Sequence, residues 1–539
     1  MEIIDWILVA LFLIALTTIG FVFSKRNRNI EDYFAAGRSM PGWLVALAAT
    51  GTSISAGTFI GSPELGFNTN LTFLMSCVGA VVGGIFVAWL VLPKLYNAKT
   101  ITIYGYIGDR FGETSKRYTS VMFLIGQLFT SGSRLFIASI AISVICFGGI
   151  DFQFIVYSII ILGIISTVYT MAGGIKGLIY IDSLQILLVV GTGIAALVFI
   201  FQSLDMNFTD IVSHLRNGMV KLPQQQAYGM GADGTMEGWA SGNKLLFVDP
   251  SFDITVPYNL IGALFAYAIF KFAQFSTDHE FVQRQLTCKS VRKAGSSLVV
   301  SQLMAIPIVF IFLAIGLLLY VKYISDPLAG SITGFFSDAR DVFPQYIKNC
   351  IPAGVKGIMI IGLLAAALSS FNSAINAMAS SFVTDLYLPI RSQRGKAVSD
   401  NAEQISSSKN MSALMGALLT GFAILTAVMQ QASGLNLVDF ATGVMCFSYA
   451  GMLGVFITAL YTKRGNTKSV IAALVTGLVV VLVMQPYIMN PLSEAVFGHK
   501  VVIAWPWWAP IGGIISLLVC LTGKPIKDET SKVDSAKNA

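Results

Sequence analysis

ATGTSISAGTFIGSPELG, running from Ala49 to Gly66, sits inside an apolar segment (Trp43 to Leu65) long enough to cross a bilayer. Thr50, Gly51, Thr52, Ser53, Ser55, Gly57, Thr58, Gly61 and Ser62 crowd its middle. Glycines and hydroxyl residues are poor helix formers, and they put oxygens where hydrocarbon would favour leucine. A span that gives up helix at membrane depth must line a cavity or coordinate something, because lipid cannot satisfy its backbone. Close helix packing through small residues is the competing reading.

The rest of the chain supports a membrane setting. It has 539 residues, of which 55% are hydrophobic and only 12% charged, and its mean hydropathy is +0.73. Soluble domains carry about twice that charged fraction. The N-terminus MEIIDWILV lacks a basic leader, and its apolar run continues to Phe23 before SKRNR, so it reads as a retained span. The net charge of +7 falls in the loops between spans and gives no reason to expect a nucleic-acid partner. Six cysteines without C-x-x-C spacing and three distant histidines make no zinc or haem site. Without a P-loop, ATP-driven pumping is not expected.

Apolar runs predict about thirteen spans, near 4–24, 43–65, 72–93, 118–147, 152–171, 183–203, 257–276, 297–322, 355–383, 410–430, 438–461, 468–488 and 501–522. Alternating from an outside N-terminus puts roughly 25 of the 35 lysines and arginines in inside segments, so the C-terminus is expected in the cytoplasm. Two long outer loops, about 204–256 and 323–354, and a charged tail, DETSKVDSAKNA, complete the plan. TITIYGYIGDRFG reads as a short amphipathic helix between the third and fourth spans. A second interruption is expected at Lys271–Thr277, five spans after the first. Paired breaks of this kind mark a transporter built from inverted repeats.

The ninth span holds AAALSSFNSAINAMASSFVTDLY, Ala365 to Tyr387. On a helix, Ala366, Ser369, Ser370 and Ser373 share one face. Their hydroxyls and a freed carbonyl offer oxygen ligands for a hard monovalent cation, which an unwound partner helix would complete. A packing surface is the other reading of such a serine face.

At these residues the chain resembles the sodium/solute symporter family, which includes the bacterial sodium–galactose and sodium–sialic acid transporters. The resemblance covers nearly the whole chain. It is carried by EDYFAAGRSMPGW (31–43), ISAGTFIG (54–61), TIYGYIGDRFG (102–112), YTMAGGIKGLIYIDSLQ (169–185), FVQRQLTCKS (281–290), the Ala365–Asp385 patch and GVFITALYTKRGN (454–466). It implies an all-α polytopic membrane protein with a five-plus-five inverted-repeat core of the leucine-transporter type, preceded by one helix and followed by two. Residues 1–42 then form the leading helix and linker, and 43–276 the first repeat, the outer loop and the start of the second repeat. Residues 277–462 complete the core, 463–522 hold the trailing helices and 523–539 the tail.

The resemblance also implies a sodium site built from the carbonyls of Gly51, Ile54 and Ala366 and the hydroxyls of Ser369 and Ser370. Some members hold a second sodium. Asp182 and Ser373 match two of its ligands, while Asn372 stands where a serine is expected. Asp182 is equally readable as a carboxylate at a cytoplasmic helix start.

Arg134 and Lys271 lie mid-span, where an ionisable group faces a cavity or a partner. Arg134 matches the carboxylate-binding arginine of sialic acid symporters, and Lys271 falls where sugar-carrying relatives place an amide. Two cations near one pocket favour an anionic solute, a sialic acid or another sugar acid. Pairing with Asp182, Glu64 or Asp278, or snorkelling of Lys271, would remove that inference. Ser53, Ser55, Thr58, Phe73, Cys77 and Gln274 complete the expected pocket. Phe270, Phe272 and Phe275 read as core, and His279 and Glu280 as interfacial. Ala56 and Cys77 depart from the polar residues of the relatives.

The expectation is therefore sodium-coupled symport by alternating access, in a bacterial-type plasma membrane and as a monomer. A neutral sugar, polyol or monocarboxylate as solute, or proton coupling through Asp182, is the alternative. No nucleophile–base pair or metal-ligand cluster at membrane depth suggests an enzyme.

Overall fold

In hydrocarbon every backbone N–H and C=O needs an internal partner, so each apolar run is expected to become helix. The computed structural model describes the chain apart from residues 25–29, 222–238, 325–338, 396–400, 434–435 and 525–539. The charged tail from Asp528 lies outside the described residues, as do parts of both outer loops. Each of the thirteen expected spans falls on helix.

The leading helix α1 is Ile3–Ser24. The second span is broken into α2, Gly42–Ser53, and α3, Gly57–Asn68, bent by 58°. Ile54 takes an extended conformation (φ −89°, ψ 101°) at the end of α2. The expected break in the hydroxyl-rich stretch is thus present. Next come α4, Phe73–Asn97, the short amphipathic α5, Ile103–Phe111, and α6, Glu113–Phe147. The helix Phe152–Gln202 is interrupted at Gly174, whose φ of 61° and ψ of 177° suit glycine. It divides into α7, Phe152–Val168, and α8, Gly174–Gln202. The sixth span therefore starts earlier than expected, and Asp182 lies two turns inside it rather than at its first turn.

After the outer loop, which carries a small antiparallel hairpin (Met219–Lys221 with Trp239–Ser241), comes the second broken span. It consists of α9, Tyr267–Thr277, and α10, His279–Leu286. The interruption expected at Lys271–Thr277 falls instead at Asp278, with Lys271 inside intact helix. The reason is local: lysine is a good helix former, whereas Asp278 caps α10 by accepting the Glu280 N–H at 2.9 Å. The remaining spans are α11, Val291–Ile324; α12, Val355–Gln393; α13, Glu403–Gln430; α14, Leu437–Tyr461; α15, Thr467–Val483; and α16, Trp505–Leu521. Another helix, Pro486–Phe497, is bent by 74° from α15.

Four of these elements interlock through glycine. A methyl group at Gly66 or Gly316 would overlap the carbonyl oxygen of Leu313 or Pro63, so α3 and α11 touch backbone to backbone. At Gly79 and Gly83 it would overlap the carbonyls of Ala263 and Ala268, which joins α4 to the start of the second broken span in the same way. Small residues permit this approach where lipid supplies no hydrophobic drive between helices. Opposite them, α8 packs on α12, α6 on α13 and α14, and α16 on α14.

Candidate functional site

Ending α2 at Ser53 releases the carbonyls of its last turn. Those of Gly51 and Ile54 accept no hydrogen bond among the described residues. Across from them, α12 presents Ser369 and Ser370, which are 1% and 0% exposed. A methyl group at Gly51 would sit 3.5 Å from the Ser369 Oγ and 3.0 Å from the Asp182 carbonyl oxygen. The two patches singled out in the sequence therefore meet. Ser369 donates to Asp182 Oδ1 at 2.8 Å, which leaves the lone pairs of its oxygen for another ligand. Ser370 donates to the Ala367 carbonyl at 3.2 Å and more weakly to that of Ala366 at 3.4 Å.

Asp182 is fully buried and pairs with Arg284, whose Nη2 is 2.8 Å from Oδ2. Arg284 also donates to the Ser373 hydroxyl, and Ser373 donates to the Ser369 carbonyl at 2.6 Å. The Asn372 Oδ1 accepts from Thr170 at 2.8 Å. Asp182 and Ser373 are thus joined through Arg284, whereas Asn372 is bound to Thr170 instead. The sequence reading missed Arg284, although a basic residue one helical segment beyond a break was a visible signal.

Beside the α2–α3 break lies a cavity with about 830 Å³ of empty space, its open mouth included. All eight side chains expected at the solute line it: Ser53, Ser55, Thr58, Phe73, Cys77, Arg134, Lys271 and Gln274. The sequence reading missed Ser62, Tyr267, Phe281, Gln302, Thr442 and Met445, which also line it. Gln302 donates weakly to the Ser53 Oγ at 3.4 Å. Phe270, Phe272 and Phe275 are absent from the lining, in keeping with their reading as core.

The two cations have different surroundings. Arg134, 4% exposed, directs Nη1 to both oxygens of Glu280 at 3.3 Å. Its expected internal partners were Asp182, Glu64 or Asp278, and the carboxylate it meets is none of these. His279 and Glu280 are fully buried rather than interfacial, because α10 dives into the protein after the Asp278 cap instead of leaving it. Lys271 has no carboxylate within 4.0 Å among the described residues. Its Nζ donates to Gln274 Oε1 at 2.7 Å and lies 5.4–5.5 Å from the ring centres of Tyr267, Phe270 and Phe275.

A polar chain runs from here to the second break. Gln274 Nε2 lies 3.4 Å from the Tyr449 hydroxyl, which donates to Asp278 Oδ2 at 2.5 Å. Gln127 donates to both oxygens of Asp278, at 2.8 and 2.9 Å, and to Glu280 Oε2 at 3.3 Å. Asp278 is accordingly held by α6, α10 and α14 together.

Comparison with known proteins agrees with this architecture. The family model described as "Sodium:solute symporter family" matches residues 33–477. The chain is 25% identical over 505 residues to the sodium/sialic acid symporter SiaT of Proteus mirabilis, covering 93% of each protein. It is 23% identical over 500 residues to the sodium/sialic acid symporter NanT of Aliivibrio fischeri, covering 93% of this chain and 91% of that one. To the mouse sodium/glucose cotransporter 4 it is 25% identical over 509 residues, or 88% of this chain and 68% of the other. Among solved structures, a Na+-coupled sialic acid symporter in a substrate-bound outward-open state matches with a TM-score of 0.77 at 21% identity, covering 98% and 99%. That likeness carries the fold: a five-plus-five inverted-repeat core with a helix before it and two after.

Proposed function

The chain belongs to the sodium:solute symporter family, and on that premise we propose that it imports a small anionic organic solute, a sialic acid or related sugar acid, together with sodium. It is a multi-pass membrane transporter and not an enzyme. The carrying observation is that one cavity gathers all eight expected solute contacts, among them Lys271, which meets no carboxylate among the described residues, beside a helix break that faces Ser369. The relatives SiaT and NanT are sialic acid symporters, which supports the choice of an acid.

Sodium is held by the carbonyls of Gly51, Ile54 and Ala366 and the hydroxyls of Ser369 and Ser370. Asp182 orients the Ser369 hydroxyl so that its oxygen faces the ion. Bound there, the ion ties the broken α2–α3 span to α12 and completes the neighbouring solute site. Closure on the outer side and opening on the inner side then release both. One charge falling through 100 mV yields about 2.3 kcal/mol, and a tenfold sodium gradient adds about 1.4. Together these support roughly 500-fold accumulation of a neutral solute per sodium. A monoanion forgoes the electrical part, so a second ion on Asp182, Asn372 and Ser373 would raise its accumulation. The surplus of lysine and arginine on one side supports an outside N-terminus and a cytoplasmic C-terminus in a bacterial-type plasma membrane, with the monomer as the working unit.

The test is a thermal-shift screen of purified protein against sugar acids, neutral sugars, amino acids and simple carboxylates, with sodium or with choline. Sodium-dependent stabilisation by a carboxylated solute is the expected result. Equal stabilisation by a neutral sugar would overturn the anionic reading, and stabilisation that survives the removal of sodium would overturn the coupling.

A further inference from the structure

Arg134 and Lys271 line the solute cavity, Arg284 and the carboxylates of Asp182, Asp278 and Glu280 are buried outside its lining, and the way these groups pair is uneven. Arg134 is engaged by Glu280, and Arg284 by Asp182. Lys271 and Asp278 remain, and they do not touch. They are joined only through the neutral amide of Gln274 and the phenol of Tyr449. Asp278 is well satisfied where it is, by Gln127, Tyr449 and the Glu280 N–H. The Lys271 ammonium has one amide oxygen and three aromatic rings. Such surroundings stabilise a cation without cancelling its charge.

On the reading that the solute is an anion, we propose that Lys271, and not Arg134, anchors its charged group, and that Glu280 is the specificity-determining residue that keeps Arg134 from doing so. A guanidinium that already holds a carboxylate presents a nearly neutral pair to an incoming anion, since the resident charge repels what the guanidinium attracts. The ammonium has no such resident. It lines the same cavity as Ser53, Ser55 and Thr58, which suit the hydroxyls of a polyol chain. Arg134 then acts on the solute through its Nε and Nη2, which make no hydrogen bond among the described residues. These are donors for a carbonyl or hydroxyl oxygen. Glu280 is fully buried behind the guanidinium and absent from the cavity lining, so its part is to position and neutralise rather than to touch the solute.

The test uses full-length protein and matched pairs of probes, each acid beside its methyl ester: sialic acid, glucuronic acid and lactic acid, at saturating sodium. The readout is the ratio of acid to ester affinity from thermal shift and from competition of uptake in proteoliposomes. Lys271→Gln is expected to lower this ratio by at least about tenfold, and Lys271→Arg to restore most of it. Glu280→Gln, by releasing the guanidinium, is expected to raise the ratio several-fold. Because Arg134→Gln alone strands a buried carboxylate, the pair is removed together. Arg134→Gln/Glu280→Gln is expected to weaken acid and ester alike and keep their ratio. A double variant that loses its preference for acids while Lys271→Gln keeps it overturns the proposal, as does a Glu280→Gln ratio equal to the parent's. A parent protein that prefers no acid over its ester overturns the anionic reading itself, a result distinguishable from the other two because no variant is needed to see it.

Discussion

Replacing Ser369 with alanine tests the ion site most directly. The hydroxyl is 1% exposed, donates to Asp182 Oδ1 at 2.8 Å and stands 3.5 Å from where a methyl group on Gly51 would be. Ser369→Ala removes one of the oxygens proposed to hold sodium and one of the donors to a buried carboxylate. A hydrogen bond to a charged group is worth about 1.5–3 kcal/mol, and every 1.4 kcal/mol is a factor of ten. The sodium concentration for half-maximal uptake should therefore rise roughly 10- to 100-fold. Because Arg284 still pairs with Asp182, the protein should fold, and uptake at saturating sodium should fall far less. The assay is uptake into proteoliposomes at fixed saturating solute, with sodium varied against choline at constant membrane potential. Sodium dependence unchanged within about twofold would refute the assignment of Ser369, and with it the argument that Asp182 aims its hydroxyl at the ion.

Other outcomes follow from contacts elsewhere in the protein. Gly66→Ala drives a methyl group into the Leu313 carbonyl; a lower melting temperature and loss of uptake are expected, at a cost of about 1–3 kcal/mol, and a neutral result would show that α3 and α11 separate easily. Arg284→Gln leaves Asp182 buried without its partner and should destabilise by about 3–5 kcal/mol; adding Asp182→Asn should restore most of the folded yield on size-exclusion chromatography. Asp278→Ala removes the cap of α10 and the acceptor of Tyr449 and Gln127; a loss of at least about 1 kcal/mol of stability is expected, read as a thermal shift without solute. Replacing sodium by choline should abolish accumulation in parent protein, and accumulation that persists under a proton gradient would indicate a different coupling ion.

How legible this was depended on whether the chemistry was local. The hydroxyl-rich break at Ser53–Gly57 could be read because poor helix formers at membrane depth are costly unless the freed backbone finds a cavity or an ion. The eight cavity residues could be named because motif resemblance carries register along a helix. Glu280 and Arg284 were missed for the opposite reason. Their importance comes from partners 146 and 102 residues away, and nothing in STDHEFVQR says that α10 turns inward. The second break was expected at Lys271–Thr277 and falls just after it, at Asp278. The helix tolerates that lysine, and the capping aspartate after it makes the turn.

The glycine seams between α3 and α11, and between α4 and the start of α9, leave no soft side chains to deform, so each pair must travel as one solid piece. The second broken span meets α6 and α14 instead through exchangeable polar contacts: Arg134 to Glu280, and Gln127 and Tyr449 to Asp278. Such bonds can be surrendered and remade with water or cargo at little net cost. Displacement should therefore concentrate along that polar seam, as in a bearing with rigid races and a replaceable lubricant. Spin labels placed across it should change separation during the cycle, while labels spanning a glycine seam should not.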